Sequence, residues 1–394
     1  MTNDTKIYFN SDDLDISGKT AEELLDLYFG MVDSEIGEIP DENKEKAFTY
    51  LKAAADKGLP EAWAELGACY LAGLGVEPDE AKAHDLLEKA ALKNAANAQM
   101  NLYIFMRDKA QTDEEKKDAL YWLNQAVENN VPSALFETGT LYYNGIVHKQ
   151  DFKKAYEYFD KSANAGSAEG YSMLGAMHQQ AQGVDLDLNK AADYFAKAAE
   201  LGSITGLYNL GNAYMGGLGI DQNYKEAFNC FEYLVDLEEP FYLMPDLEDK
   251  QTRSDIAQIF HRIQIYNLIY PMAHHNLGIM YQQGLGTEVD ETQALYHFML
   301  AAENGFAQSC LQAGAMLYAG EGIKDAEPEK AFEYLNAALN AGLEESKLCL
   351  SMMYFYGEGV KEDKEKGIAM LDNLIAAGNV SAIKIKNSLL DNEE

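Results

Sequence analysis

The residues most able to bind a metal or attack a substrate are seven histidines and four cysteines. The histidines are His84, His148, His178, His261, His274, His275 and His297, and only His274 and His275 are neighbours in sequence. Adjacent residues on a helix point about 100° apart, so these two do not easily share one metal ion. His261 is the further imidazole that could approach them. The alternative reading, which the spacing favours, is ordinary helix-surface histidine. Cys69, Cys230, Cys310 and Cys349 form no C-x-x-C pair, which argues against the common zinc and redox spacings. No phosphate loop, dinucleotide fingerprint or G-x-S-x-G elbow occurs. With 65 carboxylates in the chain, no pair stands out as an acid/base couple. The expectation is a chain with no catalytic residue, no bound metal and no cofactor, not an enzyme. A small hydrolase or thiol enzyme is the rival reading.

The elements that carry these residues repeat. The segment YLAGLGVEPDEAKA begins at Tyr70, YMGGLGIDQNYKEA at Tyr214, YQQGLGTEVDETQA at Tyr281 and YFYGEGVKEDKEKG at Tyr354. The second glycine of the turn falls at Gly75, Gly183, Gly219, Gly286, Gly322 and Gly359. A second series keeps the same step of 36 or 37 residues, apart from one insertion: Gly58, Asn94, Asn130, Gly166, Gly202, Gly305, Gly342 and Gly378. Gly and Asn are the residues that most easily take the left-handed conformation closing a helix. Asn43, Asp79, Asp151, Asp187, Asn223, Asp290 and Asp363 sit where a second helix of each repeat would start, with Glu115 and Glu327 as weaker members. Between these signals apolar and small residues recur at three- and four-residue steps, as in Ala62, Leu66, Tyr70 and Gly73. One such helical hairpin cannot bury both faces, so neighbours must stack.

Together these residues make a pattern that resembles the Sel1-like repeat, a relative of the tetratricopeptide repeat. It reads A-x-x-x-L-G-x-x-Y-x-x-G-x-G, a capping Asp, then a K-A-x-x-Y/F/L-x-x-x-A-A-x-x-G helix. Good copies open at Ala62, Ala134, Gly206, Ala273, Ser309 and Ser346, and weaker ones at Ala98 and Gly170. The copy at Ala98 has lost its glycine turn, reading Lys109-Ala110-Gln111, and His178 replaces the tyrosine of the copy at Gly170. A partial unit opens near Ala21 and a half unit closes the chain from Ala382. The resemblance implies an all-α, right-handed superhelical solenoid of antiparallel helix hairpins about 36 residues long, with first helices lining a concave side. It also implies an adaptor. A secreted subgroup of the family places a disulfide inside each repeat, near Ala62 and Ala90; alanine stands there, so that subgroup's properties do not carry over.

The organisation expected is a cap segment at 1–20, a repeat array at 21–238, an insertion at 239–271, and a second array with its cap at 272–394. The insertion holds Pro240, Pro245 and the apolar run Phe241 to Met244, then a helical stretch through Ile256 and Ile263, with Pro271 marking the next boundary. It reads as a spacer; a lip that contacts a partner or a hinge is the functional alternative.

The charge balance, 31 basic against 65 acidic residues for a net −34, repels nucleic-acid phosphates and anionic lipid. No signal peptide and no apolar run long enough to span a membrane is seen, which reads as a cytoplasmic protein without membrane insertion. The expected partner is a protein or peptide, with a basic one favoured by the field, held on the concave acidic face. Tyrosines off the core register offer contacts: Tyr143, Tyr171, Tyr208, Tyr318 and Tyr356. Asn209, Asn276 and Gln312 share one register with Glu65, Asn101, Glu137, Met173 and Cys349. Their amides could hold a peptide backbone or bond neighbouring helices of the stack. A dedicated inhibitor, immunity protein or chaperone for a basic partner is the alternative, as is an exported host-interaction factor.

Overall fold

The structure, a computed structural model, describes residues 16–31, 44–73, 76–237 and 256–391. Gly75, Asn43, most of the 1–20 segment and the run Phe241 to Met244 lie outside the described residues. Among the described residues are nineteen α-helices and no strand. They are α1 (Ala21–Phe29), α2 (Lys44–Asp56), α3 (Pro60–Ala72), α4 (Glu80–Leu92), α5 (Ala96–Lys109), α6 (Asp113–Glu128) and α7 (Pro132–Asn144). Next come α8 (Phe152–Asn164), α9 (Ala168–Gln179), α10 (Leu188–Glu200), α11 (Ile204–Gly216), α12 (Tyr224–Asp236) and α13 (Ile256–Gln283). The last are α14 (Glu291–Glu303), α15 (Ala307–Ala319), α16 (Pro328–Asn340), α17 (Lys347–Tyr356), α18 (Lys364–Ala376) and α19 (Val380–Asp391).

Each A helix packs on the B helix of its own hairpin, as α3 on α4, α7 on α8 and α15 on α16. The B helix then packs on the next A helix, as α4 on α5, α8 on α9 and α14 on α15. The chain is therefore an α-solenoid of helix-hairpin repeats. Two compact units divide it. One takes the described residues up to Gly206 together with 256–263, the other takes 207–237 and 264–391.

The punctuation expected from sequence forms these hairpins. All eight helix-closing positions, including Asn94 (φ 63°) and Asn130 (φ 54°), have positive φ. The side chains of Asp79, Asp151, Asp187, Asn223, Asp290 and Asp363 accept hydrogen bonds from N–H groups of the first turn at 2.9–3.2 Å. Glu115 is different. The cap of α6 is Thr112, and Glu115 reaches back to the Thr112 and Gln111 N–H groups at 2.8 Å, a capping box. Glu327 occupies its cap position without a side-chain bond.

Within a hairpin, close approach comes from pairing a glycine on the A helix with a large side chain on the B helix. A Cβ placed on Gly139, Gly175, Gly211 or Gly278 would lie 2.6–2.8 Å from the ring of Phe159, Phe195, Phe231 or Phe298. All four rings are fully buried. Shape, more than hydrophobicity alone, thus fixes how the two helices meet.

Two positions depart from expectation. Pro271 does not separate the insertion from the next repeat, because α13 runs through it. A helical proline loses one hydrogen bond, but here Pro271 and its neighbours Ile269 and Ala273 are buried, which holds the helix together. Ala181 has φ 53°, at the place where the other turns carry Gly145, Gly284, Gly320 or Gly357. A left-handed alanine costs about 1–2 kcal/mol. Ala181→Gly removes that strain and returns part of the gain as unfolded-chain entropy. The expected net stabilisation is about 0.5–1 kcal/mol, read as a raised denaturant midpoint at unchanged slope.

Candidate functional site

The side chains able to meet a partner are set by the geometry of the A helices. Counting the small residue that opens each motif as position 0 (Ala62, Ala134, Gly206, Ala273 and so on), position 5 faces the B helix through its glycine. Position 3 faces the preceding A helix. In the first unit Glu137, at position 3 of α7, accepts from the Tyr103 hydroxyl at 2.7 Å and from Arg107 at 3.1 Å, both on α5. Burial and the Glu137 carboxylate push the Tyr103 phenol pKa up. In the second unit Asn276, buried at position 3 of α13, donates to Asn212 on α11 at 3.1 Å. For Glu137 and Asn276 this register works as the joint between A helices. Asn209 and Gln312 hold the same position on α11 and α15 and are half-buried.

At 100° per residue Tyr143, Tyr208 and Tyr318, at positions 9, 2 and 9, point within about 20° of one another, whereas Tyr171 at position 1 and Tyr356 at position 10 point about 80–100° to either side. Tyr143, on α7, donates its hydroxyl to Gln182. Tyr171, on α9, lies with its ring 6.2 Å from that of Tyr194. Tyr208, on α11, sits 5.8 Å from the Phe231 ring. Tyr318, on α15, donates to Glu358, and burial together with that carboxylate raises its pKa. These four are half-buried, whereas Tyr356 at the end of α17 is 47% exposed.

Charge separates the two kinds of helix in the second unit. Helices α11 and α15 and residues 264–283 of α13 carry no charged side chain, and α17 carries Lys347 alone. Each of α12, α14, α16 and α18 carries two or three Asp or Glu. In the first unit the A helices do carry acid, at Glu22, Glu23 and Asp26 on α1, Glu61 and Glu65 on α3, Asp108 on α5, Glu137 on α7 and Glu169 on α9. The total charge of the sequence conceals this division, which is carried by the repeat registers of the A and B helices.

The histidines sit differently from the surface expectation. His274 and His297 are 3% and 7% exposed, and their Nδ1 atoms lie 2.7 Å apart. The Tyr270 ring stands edge-on to His274 at 4.4 Å, and the Tyr281 ring stacks on His297 at 5.4 Å. His275 Nδ1 lies 2.8 Å from the Ser309 hydroxyl on α15. The physical reason is register. His297 occupies the inward B-helix position filled elsewhere by Leu86, Trp122, Tyr158, Tyr194 and Tyr334. Burial lowers the pKa of His274 to about 3, with His297 adding to the effect; burial alone takes His275 and His297 to about 4. Among the described residues no three of His, Cys, Asp and Glu come together as metal ligands. The four thiols are free. Burial pushes Cys69 up to about 12 and Cys230 to about 11, away from the nucleophilic thiolate.

Known proteins share the repeat. An uncharacterized protein of Neisseria meningitidis serogroup B is 30% identical over 138 residues, 35% of this chain and 28% of that protein. This chain thus matches under a third of that relative's length. A solved Sel1 repeat protein from Oxalobacter formigenes superposes with a TM-score of 0.52 at 20% identity, covering 71% of this chain and 96% of its own. A protective antigen of uropathogenic Escherichia coli with the same repeat fold gives 0.46 at 22% identity, covering 94% and 88%. The Sel1 repeat model matches residues 35–59, 60–94, 106–131, 132–167, 168–203, 204–237, 271–306, 307–343 and 346–379. Nine copies over most of its length mean that this chain belongs to the Sel1 repeat family.

Proposed function

We propose that the chain is a non-catalytic scaffold that binds a protein or peptide, and that its second unit does so on the A-helix side. Sel1 repeat proteins generally mediate protein–protein interaction. The observation that supports this side is the absence of charged side chains on α11, on residues 264–283 of α13 and on α15, in a chain of net charge −34. Half-buried Tyr208, Asn212, Gln282, Gln312 and Tyr318 and exposed Tyr356 offer stiff aromatic area and paired donor–acceptor amides there. Such a surface binds by apolar burial and short-range hydrogen bonds, which salt screens little. Four free thiols suit a reducing compartment such as the cytoplasm.

A second reading, an inhibitor or chaperone of a basic partner, is favoured by the acid on the B helices. Affinity capture at about 0.05 M and about 0.5 M salt separates the two. On the first reading the complex survives the higher salt, and Tyr356→Ala and Gln312→Ala each weaken it up to roughly tenfold, about 1.4 kcal/mol. Charge reversal at Glu329 and Glu333 on α16 leaves it intact. Loss of the complex in salt together with sensitivity to the α16 reversals establishes the second reading instead.

A further inference from the structure

We propose that the His274–His297 pair is an acid-operated latch, whose protonation breaks the joint between α13 and α14 and loosens this repeat in mildly acidic surroundings. The geometry carries the idea. Two Nδ1 atoms 2.7 Å apart must share one proton, so one ring donates its Nδ1–H and the other accepts with its Nδ1 lone pair. A second proton on that lone pair would set N–H against N–H, and the contact could not survive. The other ring nitrogen of His274, its Nε2, is buried and has no hydrogen-bond partner among the described residues. A bare lone pair costs less there than an unpaired N–H, so His274 is the donor and His297 the acceptor. In mildly acidic surroundings neither ring therefore takes up a proton in place.

Among the described residues no carboxylate acts on either imidazole to compensate a cation. On α13 the pair meets the rings of Tyr270 and Tyr281, with His275 next in sequence turned toward Ser309 on α15. On α14 it meets the Tyr296 ring. The other titratable side chain from α15 at this joint is Cys310, bonded weakly to the Ala302 carbonyl. From α12 the nearby carboxylates are Glu232 and Asp236, and from the α13–α14 connection Asp290; these act on the Tyr281 hydroxyl, not on the imidazoles. The protons are taken up only when the joint opens.

The sign is unambiguous. Each imidazole is neutral in the folded joint and titrates at the ordinary 6.5 when released. Stability from the joint is complete above 6.5 and falls as pH drops toward the folded values near 3 and 4. At about pH 5.5 each ring shifts the opening equilibrium about tenfold, and the pair about a hundredfold. Relief of self-repulsion in a chain of net charge −34 works in the opposite direction, so a local acid loss stands out. The latch does not depend on any partner. That it would release one rests on the proposed binding face.

Hydrogen–deuterium exchange of the whole chain, corrected for intrinsic rates, tests the latch at about pH 7.5 and about pH 5.5. The expected result is about a hundredfold loss of protection in the second half of α13 and in α14, with other repeats unchanged. In His274→Leu with His297→Met, residue types that fill the same positions at Leu135, Leu207 and Met370, the acid loss disappears. An equal loss in this double variant overturns the proposal, as does no loss in the native chain. Should the variant not fold, NMR titration of the native imidazoles decides. Folded-state signals that stay neutral through about pH 5 support the latch, and folded-state titration near the ordinary value overturns it.

Discussion

Gly286→Ala is expected to destabilise the second unit by roughly 3 kcal/mol or more, whereas Gly305→Ala costs about 1 kcal/mol. Both glycines have positive φ, 72° and 83°, so each substitution incurs the left-handed penalty of an L residue. They differ in surroundings. A Cβ on Gly305 meets nothing within 4 Å. One on Gly286 would lie 2.2 Å from the carbonyl oxygen of Tyr224, the first residue of α12. The neighbour is backbone and cannot rotate away. Gly322 and Gly359 make the same approach to Glu291 and Pro328, at 2.4 and 2.2 Å. At Gly183, Gly286, Gly322 and Gly359 the second glycine of the turn is therefore a seat for the preceding B helix. Urea denaturation of the two variants reads the contrast. Equal losses would mean that backbone conformation alone selects these glycines.

Phe298→Ala is expected to cost about 3–5 kcal/mol, the range for emptying a buried aromatic site. Its ring is fully buried and fills the space left by Gly278, whose added Cβ would stand 2.6 Å away. Small-to-large change at that glycine alone overpacks the hairpin and costs about 1–3 kcal/mol. The two sites share one volume, so their effects cannot add. Gly278→Val in the Phe298→Ala background is expected to cost less than in the native chain. A double-mutant cycle by thermal or denaturant unfolding measures this, and strict additivity would refute the shared packing.

The repeat was legible because its signals are local. Left-handed closing residues such as Asn94 and Asn130, the caps Asp151 and Asp290, and the glycine that admits a ring need only a few neighbours to be interpreted. What escaped depends on context that spacing does not hold. Thr112 competes with Glu115 for the start of α6, and a capping box wins because it satisfies donors in both directions. Pro271 looks like a boundary until the burial around it is known. The imidazoles His274 and His297, on different helices and 23 residues apart, are joined only by packing. Their inward registers could have been read once the repeat was aligned. The proposed binding residues were the least legible, because tyrosine serves both packing and contact: Tyr143 and Tyr318 spend their hydroxyls within the stack, while Tyr356 stays exposed.

The central claim, that a protein partner lies on the A-helix side of the second unit, is tested most directly by site-specific photo-crosslinking. A photoreactive side chain is placed at Tyr356 or at Gln283, both exposed on A helices, and in parallel at Glu329 or Glu333 on α16. The account predicts a discrete protein adduct from the A-helix positions, at about 0.05 M and about 0.5 M salt alike, and none from α16. Adducts from α16 alone, lost as salt rises, would contradict it and assign the interaction to the acidic B helices.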